Sequence, residues 1–210
     1  MNDLIDNSDT SFRFYDNRQK YLMFVNTCSE KWVVADRTGQ EIDDLQPVPP
    51  AIRFFDAGMG DGTVLARVLR KLHERFERFP FYIAGKEISL EDVRLTLDKM
   101  PDRFLEHPEM VLAITNISYA EAPWLVPSRA ESLERHVWKE VALEGSTTAE
   151  FERQILELQP FLAENWRTRV SPVNGSLIPE TPTTLILYRR DCRFLLDSVI
   201  PRREKPTADF

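Results

Sequence analysis

The chain contains few of the residues that build disulfide frameworks and metal sites. Its 210 residues include two cysteines, Cys28 and Cys192, and three histidines, His73, His107 and His136. Two cysteines are too few for a disulfide framework, and the histidines are too scattered for metal-ligand spacing. We therefore expect no structural disulfides and no metal.

Long apolar runs are also missing. No stretch of about 18 consecutive apolar residues occurs, so we expect no transmembrane helix. Residues 1–6 are acidic and lack the apolar core of a signal peptide, which predicts a cytoplasmic protein. The formal net charge of −7 argues against a broad nucleic-acid surface. With 42% apolar residues, the chain can bury the core of a globular domain.

Glycine is scarce too, yet three of the seven glycines stand at alternate positions after a short apolar run that ends in an acid. A strand leading into such a loop lets the backbone approach a ligand where a Cβ would clash, and the acid can receive a cationic group. The sequence therefore predicts a nucleotide-type cradle. Its candidate binding residues are Asp56, Ala57, Gly58, Gly60, Asp61 and Gly62. For Asp61, capping of the next helix is an equally good interpretation.

The spacing of the three glycines differs from that of the dinucleotide-binding fingerprint. The dinucleotide fingerprint Gly-x-Gly-x-x-Gly would need a third glycine where Thr63 stands, so an NAD-dependent oxidoreductase is the weaker interpretation. Residues 56–62 instead resemble the first motif of class I S-adenosylmethionine-dependent methyltransferases, acidic-x-Gly-x-Gly-x-Gly, at every defined position. The resemblance implies an α/β, Rossmann-like doubly wound sheet that binds S-adenosylmethionine and transfers its methyl group to an acceptor, which the sequence does not identify.

The elements after the loop follow the order of a βαβ unit. Apolar periodicity predicts a helix over residues 63–76, a strand over 81–88 and a helix from Ser89 to Met100. The second strand closes on Glu87, about where such a unit places an acid on the ribose. In the methyltransferase pattern, Glu87 holds the ribose and Ile88 packs on the adenine.

A third strand is predicted over residues 110–116. Many methyltransferases carry an aspartate at its end that bonds the adenine amino group, whereas this chain has Asn116 followed by Ile117. An asparagine oxygen can still accept from that amino group, and the Ile117 N–H can donate to the ring. Both residues are therefore candidate adenine contacts.

The segment before the glycine loop is predicted to be helical over residues 14–25 and again over 27–38, where residues 27–30 form a capping-box pattern. Trp32, Val33 and Ala35 are expected in the core. The resemblance implies that such helices close over the cofactor, which makes Tyr15, Arg18 and Tyr21 candidate lid or substrate residues. Simple packing is the alternative role for these side chains.

Beyond residue 117 the alternation of strands and helices stops. A stripe of Leu133, Val137 and Val141 predicts one helix, and residues 147–150 form a capping box that opens a second. The predicted regions are an N-terminal helical lid and linker (1–50), a cofactor-binding core (51–127), a helical insertion (128–170) and a C-terminal segment (171–210).

The resemblance covers only the first three strands of a class I sheet, whose order is 3-2-1-4-5-7-6. We therefore expect an incomplete sheet in which the first strand has an unpaired apolar edge. Either residues 183–200 cover that edge, or the chain associates as a homo-oligomer. The alternative to an active methyltransferase is a catalytically silent module that binds S-adenosylmethionine.

Overall fold

The structure is a computed structural model and describes residues 29–200. The strands in this range are β1 (Ile52–Asp56), β2 (Phe81–Lys86), β3 (Met110–Thr115), β4 (Val137–Leu143), β5 (Thr168–Val170), β6 (Leu177–Pro179) and β7 (Thr183–Arg189). The α-helices are α1 (Glu30–Ile42), α2 (Thr63–Arg75), α3 (Leu90–Leu97), α4 (Met100–Glu106), α5 (Ala130–Glu134), α6 (Thr148–Leu156), α7 (Gln159–Asn165) and α8 (Leu196–Val199). Short 3-10 turns cover Ala122–Trp124 and Arg190–Leu195.

The main sheet has five strands in the order β1-β2-β3-β7-β4, and β5 and β6 form a separate ribbon. β1, β2 and β3 are parallel to one another, β7 is antiparallel to β3, and β4 is parallel to β7. The sheet is therefore mixed, and the fold is α/β in a form compatible with a Rossmann-like architecture.

β1 lies at one edge of this sheet, where among residues 29–200 it pairs only with β2. The expectation that residues 183–200 cover that edge is wrong, because β7 pairs between β3 and β4 instead. Thr115 and Thr184 face each other in that pairing, and their hydroxyls are 3.1 Å apart. The added strands thus extend the sheet on the side opposite to β1.

The predicted helical insertion is only partly correct. Leu133 belongs to the short helix α5, but Val137 and Val141 lie in strand β4, which pairs along its whole length with β7. Their spacing of four residues fits a strand period as well as a helical one, and pairing with a distant segment decided between them. The start of the second helix is confirmed, since Thr147 and Glu150 make both bonds of the capping box at the start of α6. This helix ends at Leu156, and the separate helix α7 follows it.

The helix before the glycine loop extends farther than expected, through Gly39 to Ile42. Its buried positions are Ala35, Gly39 and Ile42, which pack toward α2. The prediction of core residues is confirmed for Ala35 and wrong for Trp32 and Val33, which are 57% and 62% exposed. Residues 27 and 28 of the predicted capping box lie outside the described residues, as do Tyr15, Arg18 and Tyr21.

Two apolar clusters hold the sheet between its covering layers. One joins alternate strand residues such as Ile83 and Leu112 to helices α2, α3, α4 and α6, and the other joins Val111 and Ile186 to the segment 192–199. Within residues 29–200, no helix is both long enough and apolar enough to span a bilayer. The cytoplasmic location stays a prediction.

Candidate cofactor site

The glycine loop connects the end of β1 to the start of α2, as the sequence indicates. All three of its glycines have left-handed backbone angles, with φ of 119° at Gly58, 53° at Gly60 and 73° at Gly62. Residues with a Cβ are strained in this region, so the conformation of the loop depends on glycine at each position.

The three glycines have different surroundings. A Cβ on Gly62 would lie 2.7 Å from Thr96 Oγ1 and 2.9 Å from Thr96 Cα, so Gly62 allows α2 and α3 to approach each other. A Cβ on Gly60 would meet no atom within 4 Å, and one on Gly58 would meet only the Tyr119 hydroxyl at 3.7 Å. Gly58 and Gly60 thus border open space, where a ligand can lie against the backbone.

The loop is anchored to the next βα unit by several contacts. The Gly60 N–H donates to Glu87 Oε2 at 2.9 Å, and the Gly60 carbonyl accepts from Thr96 Oγ1 at 2.9 Å. The buried side chain of Met59 fills the space above Gly85, with its sulfur 2.5 Å from where a Cβ would stand. These contacts hold the loop in one position against the ends of β2 and α3.

Glu87 lies against the loop, but its carboxylate already serves the backbone. Oε2 accepts from Gly60, and Oε1 accepts from the N–H groups of Ile88 and Ser89, both at 2.8 Å. A carboxylate has about four lone-pair positions, so these bonds leave room for about one more donor. The ribose role of Glu87 stays a prediction, and this geometry suits one ribose hydroxyl better than two.

Asp56 is the unpaired acid of the site. Its side chain is half-buried and makes no hydrogen bond or ion pair with any described residue. Burial, and secondarily the negative charge of Glu87, raise the pKa of Asp56 from 3.8 to about 6. A cationic partner beside Asp56 would balance the negative charge of the carboxylate, lower its pKa and thereby favour the ionised form.

Asp61 is paired within the protein. Its carboxylate accepts from Lys31 at 2.7 Å and from the Thr63 N–H at 3.1 Å and the Thr63 hydroxyl at 2.8 Å. Burial acts to raise the pKa of Asp61, but the hydrogen bonds from Lys31 and Thr63 outweigh it and hold the pKa below its usual value. Asp61 therefore binds the first residue of α2 and ties the loop to α1. Ala57, at the start of the loop, is exposed.

Lys86 and Tyr119 are site residues that the sequence reasoning missed. Lys86 is buried at the end of β2, and its ammonium lies 4.5 Å from the centre of the Tyr119 ring. Burial lowers the pKa of Lys86, although Glu87 opposes the shift. No described residue forms an ion pair with Lys86. In the sequence, Lys86 stands directly before the strand-end acid Glu87, on the predicted ligand side of the sheet. This position was the signal that could have identified Lys86 as a site residue.

Asn116 and Ile117 are engaged inside the protein. The Asn116 carbonyl oxygen accepts from the Thr183 N–H at 2.7 Å, and its amide nitrogen donates to the carbonyls of Thr181 and Asn165. The Ile117 N–H donates to the Thr115 hydroxyl at 3.4 Å, and Ile117 is buried. Adenine contacts by these two residues stay predictions, and each would have to compete with an existing bond.

Ile88 lines a cleft of about 420 Å³ next to Glu87. Leu90, Trp166 and Leu177 provide apolar walls, and the Trp166 indole N–H donates to the Glu87 carbonyl at 3.0 Å. The polar side chains of Arg167, Thr168 and Glu180 also line the cleft. The cleft therefore offers apolar walls for an aromatic base and polar groups beside them, next to the predicted ribose acid.

Comparison of the chain with models of protein families, with curated proteins and with solved structures finds no match. Among residues 29–200, no group of three or more histidine, cysteine, aspartate or glutamate side chains is placed to hold a metal ion.

Proposed function

We propose that the chain binds S-adenosylmethionine across residues 56–62 and functions as a methyltransferase of the class I type. The observation that carries this proposal is Asp56, a carboxyl with a raised pKa and no partner among residues 29–200, beside glycines whose backbone borders open space. S-Adenosylmethionine presents an ammonium group close to its sulfonium centre, and this ammonium is the cation that Asp56 lacks.

The surrounding groups fit the remaining parts of that ligand. The ammonium of Lys86, which has no ion-pair partner among residues 29–200, suits the carboxylate of the methionine moiety. Glu87 has capacity for a ribose hydroxyl, and the apolar walls of the cleft at Ile88 suit adenine. The adjacent parallel strands β1, β2 and β3 match the 3-2-1 half of the class I sheet in their order, whereas β7 pairs beyond β3, and β1, an inner strand of the class I order, lies at the edge. The methyltransferase type of the fold rests on this agreement.

The chemistry would come largely from the bound sulfonium, which makes its methyl group electrophilic. The residues of the chain orient the donor: the anchored glycine loop fixes the methionine end, and Glu87 and the Ile88 cleft fix the nucleoside end. The acceptor class is open, and a catalytically silent binding module differs from the enzyme only in turnover. A screen of acceptors with a radioactive methyl donor distinguishes the two.

Isothermal titration calorimetry of the full chain tests the binding proposal. We expect S-adenosylmethionine and S-adenosylhomocysteine to bind, NAD to bind weakly or not at all, and Gly60→Arg to abolish binding. Gly175→Arg is the matched control, because Gly175 also has a left-handed φ, 71°, and open space around its Cβ position. Equal binding by the Gly60→Arg and wild-type proteins, or no binding by a folded wild type, contradicts the proposal.

A further inference from the structure

The outer edge of β1 carries backbone groups that have no partner among residues 29–200. The Ile52 N–H donates to the Pro80 carbonyl on the β2 side. Because backbone groups alternate in direction along a strand, the N–H and C=O of Arg53 and Phe55 point away from β2. Among the described residues nothing hydrogen-bonds to them. Such an edge is a template for another strand.

The side chains at this edge are exposed and apolar or unpaired. Phe55 is 38% exposed and Trp124 is 65% exposed, and both line a groove of about 490 Å³ together with Arg53 and Tyr82. Arg53 is exposed and forms no ion pair with any described residue. Exposed aromatic surface beside an unpaired strand is typical of a protein interface.

We propose that β1 pairs in antiparallel fashion with β1 of a second copy of the chain, about a two-fold axis that passes through Phe54. In this register Arg53 of one copy lies opposite Phe55 of the other, and the two residues exchange their backbone hydrogen bonds. The symmetry repeats the exchange on the other side of Phe54. All the outward-pointing backbone groups of Arg53 and Phe55 then have partners.

The side chains favour a second copy over an unrelated strand, because the edge is complementary to itself. An isologous interface needs residue i to contact j while j contacts i. Arg53 and Phe55 project on the same face of the strand, so each guanidinium lies against the Phe55 ring of the other copy as a cation–π pair. On the opposite face, the two Phe54 rings form a cross-strand aromatic pair.

Sedimentation equilibrium of the full chain tests this dimer. We expect the wild type to dimerise and Phe55→Arg to weaken dimerisation at least about tenfold, because it sets like charges opposite each other twice. Adding Arg53→Glu to Phe55→Arg should restore the dimer through opposite charges. Val173→Arg, at a residue that is 91% exposed in the β5–β6 loop, is the matched control and should leave dimerisation unchanged.

Cysteine cross-linking tests the register. In a chain with Cys28 and Cys192 replaced by alanine, Phe54→Cys should oxidise to a covalent dimer, since paired Cα atoms about 4.5 Å apart at this position suit a disulfide. Arg53→Cys should not, because the two-fold axis places Arg53 opposite Phe55. A monomeric wild type, a Phe55→Arg protein that dimerises like wild type, or equal cross-linking at both positions overturns the proposal.

Discussion

Replacing Asp56 by asparagine should weaken S-adenosylmethionine binding and, at the same time, stabilise the ligand-free fold. Asparagine keeps the size of the side chain and removes its charge. If Asp56 receives the ammonium of the ligand, the wild type binds best when this carboxyl is ionised. Because the pKa of Asp56 is raised to about 6, the loss of ionisation falls in an accessible pH range.

The magnitude for binding follows from the ionised fraction. With a pKa of about 6, about nine-tenths of the Asp56 carboxyls are ionised at pH 7 and about one-tenth at pH 5, so the affinity should fall about tenfold between these values. With the ordinary pKa of 3.8 the change would be negligible. The Asp56→Asn protein should show weak binding that does not vary over this range.

Ionisation of Asp56 should favour ligand binding but lower the stability of the ligand-free fold. The folded-state pKa lies above the unfolded value, so the folded protein holds the proton more tightly, and the wild type loses this stability as the pH rises from 3.8 through about 6. The shift corresponds to at most about 3 kcal/mol, and less because the carboxyl is partly exposed. Asp56→Asn should therefore raise the free energy of unfolding at pH 7 by about 1–3 kcal/mol, with the gain shrinking toward pH 4.

Calorimetric titrations from pH 5 to pH 7 and urea unfolding measure the two effects. Asp197→Asn, at an exposed acid of α8, is the control variant. 5′-Methylthioadenosine is the control ligand, because it lacks the amino-acid group and should bind the wild type and the Asp56→Asn variant alike. A wild-type affinity that is constant with pH, or an Asp56→Asn protein with wild-type affinity, would refute the reasoning.

Three further predictions concern stability and binding together. Gly60→Ala should cost about 1–2 kcal/mol of backbone strain, and Gly62→Ala should lower the free energy of unfolding by more, because only the Gly62 Cβ overlaps Thr96. Urea unfolding of both variants measures these losses, and equal losses would contradict the prediction. Glu87→Ala should weaken the cofactor at least about tenfold and also cost about 1–3 kcal/mol of stability, since it removes the acceptor of three backbone N–H groups; calorimetry and unfolding of one sample measure both, and an unchanged affinity would leave Glu87 a structural role only. Thr147→Ala should cost about 0.5–2 kcal/mol through loss of the capping box, with cofactor affinity unchanged; a thermal melt that matches wild type would argue against it.

The parts of the fold that the sequence predicted are those fixed by neighbours along the chain. The left-handed angles of Gly58 and Gly60 and the capping box at Thr147 depend on a few adjacent residues, and both could be read from the residue types. The strand conformation of β4 could not be predicted from neighbouring residues, because it depends on pairing with β7. Two helices and the β5–β6 ribbon separate the two strands along the chain. The exposure of Trp32 was likewise decided by which face of α1 packs on α2.

In the candidate site, too, the features that depend on neighbouring residues could be predicted, and those that depend on distant residues could not. Asp56, the glycines and Glu87 were found because a strand end brings its ligand groups together in sequence. The role of Asn116 was set instead by the carbonyls of Asn165 and Thr181, which reach it only once β7 has paired with β3. A polar residue at a strand end can therefore satisfy either a ligand or a distant part of the backbone, and only the tertiary structure shows which bonds already exist.

The position of β1 links the proposed site to the proposed dimer. Asp56 is the last residue of the pairing edge, and pairing about Phe54 places Ile52 of the second copy opposite it. This added apolar neighbour would increase the cost of an unpaired charge on Asp56, a cost that burial already imposes. A ligand ammonium that balances the charge of Asp56 removes this cost, and it removes more in the dimer, where the cost is larger. In the proposed dimer, cofactor binding and strand pairing therefore favour each other, and by thermodynamic linkage each must strengthen the other by the same factor.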